Sequence, residues 1–193
     1  MNMKQKDILI VLASIITIGI LRLFISIPNF TPIGALALTG GYFLGKRSLA
    51  FLLPLGGLLI SDIVLGLSSQ SNWDYLFSSS FALVYLAFGL TIVLGMYARK
   101  KNVNATVGLI GFSVLSSVLF YLITNFGAWI YDPIYTKDIN GLIQSYIAGL
   151  AFYKQDIFGN LALNMIMSGV FFTFIFSAGY QSLFNSTLKK VKA

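Results

Sequence analysis

Residues 77–101 read FSSSFALVYLAFGLTIVLGMYARKK, and this stretch decides the fold class. It contains no charged side chain before its last three residues, Arg99, Lys100 and Lys101. An α-helix needs about 20 mostly apolar residues to cross the hydrocarbon core of a bilayer. Basic residues at one end of such a run are typical of the cytoplasmic side of a span. The stretch therefore predicts a transmembrane helix that ends in the cytoplasm.

The composition extends this interpretation to the whole chain of 193 residues. Hydrophobic residues make up 57% of it and charged residues only 10%, whereas a soluble globular protein carries about 25% charged residues. Much of the surface must therefore face lipid. The length fits one domain, so we expect residues 1–193 to form a single transmembrane domain.

The apolar segments predict an all-α integral membrane protein, a bundle of six transmembrane helices. Their boundaries follow from span length and flanking charges. The predicted spans are Ile8–Ile27, Pro32–Gly45, Leu49–Leu67, Phe77–Tyr97, Val107–Ile130 and Ile157–Ala178.

The second predicted span is short. Thr31 is expected to cap a helix that begins at Pro32. At about 1.5 Å per residue this helix covers about 21 Å, while the hydrocarbon core is about 30 Å thick. Either extended chain completes the crossing, or the helix N-terminus lies below the outer surface. In the second case its free N–H groups would favour an anionic or carbonyl-rich group.

A further short helix is predicted before the last span. Apolar side chains repeat there at helical spacing over too few residues to span a membrane, which favours an amphipathic helix at the outer interface. The stripe consists of Ile139, Leu142, Ile143, Tyr146, Ile147 and Leu150.

The Lys and Arg residues divide unequally between the two sides of the predicted bundle. One side holds only Lys137 and Lys154, and Arg22 lies within the first span. The positive-inside rule then places both termini in the cytoplasm, with the protein in the cell (inner) membrane. This distribution accounts for the net charge of +7, so no nucleic acid partner is expected. The basic side holds Lys4, Lys6, Lys46, Arg47, Arg99, Lys100, Lys101, Lys189, Lys190 and Lys192.

The catalytic repertoire of the chain is narrow. It contains no Cys and no His, which excludes disulfides, thiolate nucleophiles, imidazole bases and soft-metal sites. The segment Gly45–Ser48 lacks the remainder of a phosphate-binding loop. We therefore expect no enzyme activity, no metal site and no cofactor.

Two charged residues lie inside predicted spans. Arg22 and Asp62 stand at a similar depth toward the outer face and have opposite charge. Intramembrane ionisable residues are costly and often functional. Two interpretations remain open: a structural ion pair between two helices, or a site where one or both contact a polar ligand.

Other polar and aromatic residues gather at the same predicted depth. Interfacial aromatic anchoring and interhelical hydrogen bonds are the structural alternatives to ligand binding. These substrate-site candidates are Asn29, Thr31, Tyr121, Asn125, Trp129, Asn160 and Asn164.

Small residues form a row on the second predicted span. Ala37, Gly41 and Gly45 stand four residues apart, a spacing that lets helices approach closely. The row either packs within the bundle or forms a docking face for a partner membrane subunit.

Several stretches carry a resemblance to a known family: PNFTPIGALA at 28–37, GG at 40–41, PL at 54–55, ISD at 60–62 and SVLFYLITNFG at 117–127. With GL at 141–142, YIAGL at 146–150 and Phe152, they resemble an uncharacterised family of small bacterial membrane proteins. The match covers nearly the whole chain.

At a looser level, the size and six spans resemble the substrate-binding S components of energy-coupling factor vitamin transporters. That resemblance implies a ligand site near the outer face, a lid at Ile139–Leu150 and docking to a membrane coupling subunit. The first span departs from it, because only Ala13 and Thr17 stand where a row of alanines is typical. The pocket candidates that it implies are Arg22, Asn29, Asp62, Tyr121, Asn125, Asn160 and Asn164.

Three functions are compatible with these residues. The first is binding or transport of a small polar metabolite, vitamin-like or precursor-like, at a site near the outer face. The second is a non-catalytic assembly subunit, in which Arg22 and Asp62 meet in a filled core. The third, a lipid-modifying membrane enzyme, is less favoured because the acids available to it are Asp62 and Asp156.

Overall fold

A computed structural model describes residues 27–44, 47–67, 70–151 and 158–191 of the chain. Most of the first predicted span, together with Arg22 and Gly45, lies outside the described residues. All regular elements in the described ranges are helices. They are α1 (Ile33–Phe43), α2 (Arg47–Gly66), α3 (Gln70–Leu76), α4 (Ser79–Lys100), α5 (Val107–Tyr131), α6 (Ile139–Leu150) and α7 (Leu161–Val191).

Four of these helices are long and apolar enough to cross a membrane. They correspond to the predicted third to sixth spans, with mean hydropathies between 1.8 and 2.1. Large apolar side chains such as Leu52, Val93, Leu115 and Phe171 are exposed on their outer surfaces, as expected where helices face lipid. The chain is thus a helical membrane protein with several crossings. The apolar segments are Ser48–Gly66, Ser79–Lys100, Val107–Tyr131 and Leu161–Ser182.

The short helix α1 lies at the centre of the described bundle. It contacts α2, α4, α5 and α7, most extensively α4. Its side chains Ile33, Ala37 and Leu38 are at most 2% exposed. Because α1 has only 11 residues, it covers about 16 Å. It is therefore a buried half-length helix, enclosed by longer ones.

Glycines allow α1 and α4 to cross at close range. A Cβ added to Gly41 would lie 2.1 Å from the carbonyl oxygen of Ile92, and one added to Gly95 would lie 2.1 Å from that of Leu38. Each helix thus presses its backbone against a glycine of the other. The sequence left open whether the small-residue row packs internally or docks a partner. Ala37 is fully buried and Gly41 faces α4, so these two residues pack within the bundle, and docking of a partner subunit stays a prediction.

The start of α1 differs from the prediction by one residue. Pro32 is the cap residue, and its carbonyl accepts the hydrogen bond of Leu36 N–H at 2.9 Å. No side chain caps this end, so the expected capping role of Thr31 is wrong. Asn29, two residues before Thr31, adopts φ 60°, a left-handed conformation that asparagine tolerates better than most residues. The chain therefore turns sharply just before α1.

Helix α6 begins and ends where the apolar stripe predicts. Asp138 caps it, because its carboxylate accepts a hydrogen bond from Gly141 N–H at 2.8 Å. This backbone hydrogen bond is the main reason why the pKa of Asp138 lies below its ordinary value of 3.8. The second reason is the hydrogen bond that the Thr136 hydroxyl donates to the same carboxylate at 2.9 Å. Helix α6 packs mainly on α5 and also contacts α7. Its position at the outer interface stays a prediction.

Candidate functional site

A cavity of about 370 Å³ lies between the start of α1 and helices α4, α5 and α7. Leu58 of α2 and Gly149 of α6 complete its wall. Its volume is near the lower end of the range of small-molecule sites. Apolar side chains such as Val84, Phe88 and Phe120 form one part of the lining.

Helix α5 supplies most of the polar lining. Its contribution follows helical spacing, so one face of the helix is polar through the width of the cavity. The loop before α1, helix α4 and helix α7 supply the other polar side chains of the lining. The α5 residues are Ser116, Ser117, Tyr121, Thr124 and Asn125, and the others are Asn29, Thr31, Thr91 and Ser168.

Four of the predicted site residues meet at this cavity: Asn29, Thr31, Tyr121 and Asn125. The start of α1 faces it as well, through Ile33 and Gly34. The first backbone N–H groups of a helix precede its first internal hydrogen bond and carry the positive end of its dipole. The sequence-based expectation that this helix end meets the polar region therefore holds.

Two tyrosines fasten α6 over the α5 side of the cavity. The hydroxyl of Tyr121 donates a hydrogen bond to the carbonyl of Tyr146, and that of Tyr146 donates to the carbonyl of Leu122 at 3.0 Å. Gly149 packs directly on Asn125, since a Cβ added there would lie 2.5 Å from Asn125 Oδ1. Helix α6 is thus held against α5 by reciprocal hydrogen bonds and a close glycine contact.

Asn160 and Asn164 do not line the cavity; they hold the chain segments around it. The fully buried Asn164 donates from Nδ2 to the carbonyls of Pro28 and Phe158 at 2.9 and 2.8 Å. Asn160 Oδ1 accepts a hydrogen bond from Leu163 N–H at 2.8 Å. These contacts favour the structural alternative of hydrogen bonding between segments, and a role in ligand binding stays a prediction.

Trp129 and Asp62 also lie away from the cavity lining. The indole N–H of Trp129 donates to the carbonyl of Thr136 at 2.9 Å, which fixes the loop after α5. Asp62 is 6% exposed, and the hydroxyl of Tyr85 donates to its carboxylate at 3.4 Å. Asp62 therefore belongs to a polar contact between α2 and α4. The predicted pairing of Asp62 with Arg22 stays a prediction, because Arg22 lies outside the described ranges.

The serine and threonine residues that α4, α5 and α7 contribute to the lining were not predicted from the sequence. Ser117, Tyr121 and Thr124 recur at helical spacing on α5, and Ser168 stands four residues after Asn164 on α7. The α5 spacing was a usable signal, because it continues the face that Tyr121 and Asn125 define. Serine and threonine are common in the packing of transmembrane helices, which conceals such a signal.

These features define a class: a multi-pass helical membrane protein with a partly polar cavity beside a short central helix. Within that class, the chain belongs to a family of unknown function, DUF6580, whose model matches residues 2–183. Comparison with curated proteins found no match. Comparison with solved structures also found none, so it lends no support to the resemblance to S components.

Proposed function

We propose that the protein binds a small polar metabolite in the cavity, as the binding step of transport across the membrane. The observation that carries the proposal is a cavity of about 370 Å³ with polar side chains on several sides. Polar groups inside a membrane bundle are normally paired between helices or turned to a functional space. Here they surround an open volume that a vitamin-sized or precursor-sized molecule would fill.

The proposed site lies near the outer face, with both termini in the cytoplasm. Support comes from the basic run Arg99–Lys101, within which α4 ends and which is typical of a cytoplasmic end. Helix α5 would then begin on the cytoplasmic side and end on the outer side, so that α6, which follows it, would cover the cavity from outside. This arrangement is like that of an S component, but the proposal requires no coupling subunit.

The alternative of a non-catalytic assembly subunit predicts a filled interior. The open volume beside α1 favours ligand binding over that alternative. The enzyme alternative needs clustered chemical groups. Among the residues that the structure describes, no group of His, Cys, Asp or Glu side chains could hold a metal ion. We therefore propose a binding protein without catalytic activity.

A substitution that fills the cavity tests the proposal. Gly34 lines the cavity, and a Cβ added to it would meet only Phe88, at 3.9 Å. Gly34→Leu should therefore occupy the cavity without clashing with the backbone. Gly111→Leu is the matched control, because Gly111 is exposed and has nothing within 4 Å of an added Cβ.

The measurement is a thermal-shift screen of purified protein against vitamins, their precursors and nucleobases. We expect at least one compound to stabilise the wild type and Gly111→Leu equally, and to leave Gly34→Leu unchanged. Equal stabilisation of all three proteins would place the ligand elsewhere. If no compound stabilises the wild type, the binding function is contradicted and the assembly role is favoured.

A further inference from the structure

The hydroxyl groups that α4, α5 and α7 present to the cavity already donate their protons to backbone carbonyls. Thr91 Oγ1 donates to the carbonyl of Ala87 at 3.0 Å, Ser116 Oγ to that of Ser113 at 2.9 Å, and Thr124 Oγ1 to that of Phe120 at 2.9 Å. A hydroxyl has one proton and two acceptor lone pairs. These three side chains therefore keep only lone pairs for another molecule.

Two serines at the contact between α5 and α7 also donate their hydroxyl protons to backbone carbonyls. Ser117 Oγ donates to the carbonyl of Ser113 at 3.0 Å, and Ser168 Oγ donates to that of Met165 at 3.0 Å. Asn125 donates one Nδ2 proton to the carbonyl of Tyr121 at 2.9 Å, which leaves its Oδ1 as an acceptor and its second N–H as a donor. The polar wall formed by α4, α5 and α7, here called the acceptor wall, thus offers oxygen lone pairs.

The start of α1 offers the opposite chemistry. Ile33 and Gly34, which line the cavity, precede the first internal hydrogen bond of α1, made by Leu36 N–H. Their backbone N–H groups are donors at the positive end of the helix dipole. The cavity is therefore polarised, with donors at the start of α1 and acceptors on the acceptor wall.

We propose that the ligand is an uncharged, compact molecule that presents N–H or O–H donors to the acceptor wall and a carbonyl-type acceptor to the start of α1. Cyclic amides, imides and related heterocycles have this chemistry. The inference rests on the proposed binding function. A ligand donor adds a hydrogen bond to the hydroxyl groups of the acceptor wall without breaking one, whereas a ligand acceptor facing the same hydroxyls must take a proton from an existing bond.

Charge and shape support the same class. In the described part of the lining no side chain carries a formal charge, so among those residues no opposite charge replaces the hydration that an ion loses on leaving water. The rings of Phe88 and Phe120, whose centroids are 4.8 Å apart, provide an aromatic surface beside the polar groups. A flat heterocycle matches that combination.

The test compares fragments of matched size by ligand-observed NMR on the purified full chain. The central pair is 2-pyridone, which has a ring N–H and a carbonyl, and 1-methyl-2-pyridone, which lacks the N–H. Benzoate is the anionic fragment of the set, and benzylamine is the cationic one. We expect 2-pyridone to bind at least about tenfold more tightly than the other three. The methylated pyridone and benzoate lack the N–H donor and benzylamine lacks the carbonyl acceptor, and a buried group left without its hydrogen-bond partner weakens binding by such factors.

A serine pair on α5 supplies the matched variants. Ser117 lines the cavity, whereas Ser113 is equally buried, donates to its own helix at 2.7 Å and does not line it. Ser117→Ala should weaken 2-pyridone binding by about twofold to tenfold, and Ser113→Ala should leave it unchanged. Ser116→Ala repeats the test if Ser117→Ala fails to fold.

The outcomes separate this inference from the proposed function. Tighter binding of benzoate or benzylamine, or equal binding of the methylated pyridone, overturns the inference and leaves a ligand cavity in place. Equal effects of Ser117→Ala and Ser113→Ala also overturn it. No binding by any of the four fragments, with no hit in the thermal-shift screen, contradicts the binding function itself.

Discussion

The crossing of α1 and α4 makes the most quantitative prediction. In Gly41→Ala the new methyl group would lie 2.1 Å from the carbonyl oxygen of Ile92, 3.0 Å from its carbon and 3.1 Å from Met96 N. Ordinary contact begins at 3.4 Å, so the two helices would have to separate by about 1.3 Å at this point. The neighbours are backbone atoms, which cannot rotate away as a side chain can.

The separation has a calculable consequence. Forcing extra volume into a well-packed interior costs about 1–3 kcal/mol, and occasionally more. For a chain of this size each kcal/mol lowers the melting temperature by about 2–4 °C. We therefore expect Gly41→Ala to melt about 2–12 °C below the wild type, measured by thermal denaturation of the purified protein in detergent.

The adjacent glycine is the control. A Cβ added to Gly40 would meet the carbonyl oxygen of Ala50 at 3.6 Å and the Leu44 side chain at 3.9 Å, both ordinary contacts. Alanine has a higher helix propensity than glycine by up to about 1 kcal/mol. Gly40→Ala should therefore leave the melting temperature unchanged or raise it. If Gly41→Ala matched Gly40→Ala, the close crossing of α1 and α4 would be refuted.

Three further predictions concern α6 and the topology. Because the pKa of Asp138 is lowered in the folded state, its capping stabilises α6 above the ordinary carboxyl pKa and is lost as pH falls through the folded value. The melting temperatures of wild type and Asp138→Ala should thus differ at neutral pH and converge in acid; a constant difference would exclude the linkage. Tyr121→Phe and Tyr146→Phe each remove one hydrogen bond between α5 and α6, so each should lower stability by about 0.5–1.5 kcal/mol and speed amide exchange in α6, and unchanged exchange would contradict the contact. In this cysteine-free chain, an impermeant maleimide added to intact cells should label Ile134→Cys and not Ala105→Cys; the reverse pattern would invert the proposed topology.

The positions of helices were predictable where the polarity or charge of the side chains changes abruptly along the chain. Helix α6 was located because its apolar side chains repeat at helical spacing, whereas its cap, Asp138, was not predicted. Helix α4 ends within a basic run, which the sequence shows directly. Helix α3, over QSNWDYL, was not predicted, since it is short and largely polar. It packs chiefly on α2, a tertiary contact without a periodic signal in the sequence.

The common depth of the site residues stays a prediction, and the direction of each side chain was predictable only in part. Hydropathy estimates how far along a span a residue lies, and it contains no information about which neighbour the side chain meets. Asn164 and Ser168 stand one turn apart on α7, yet only Ser168 lines the cavity. Asn164 reaches the carbonyls of Pro28 and Phe158 instead. Such choices depend on where neighbouring loops place their carbonyls, which a single sequence does not show.

The length of α1 connects the fold to the proposed binding site. A helix of 11 residues reaches through about half of the hydrocarbon core, while the longer helices α4, α5 and α7 continue beyond its start. Among the described residues, the loop before α1 and the cavity lie where a longer α1 would continue. The Asn164 side chain holds that loop through the carbonyl of Pro28 at 2.9 Å. We therefore expect that extending α1 by one turn would narrow the cavity, whereas the close crossing at Gly41 and Gly95 would remain. The polar wall and its volume thus follow from where α1 begins, and the site is a property of the fold rather than of one side chain.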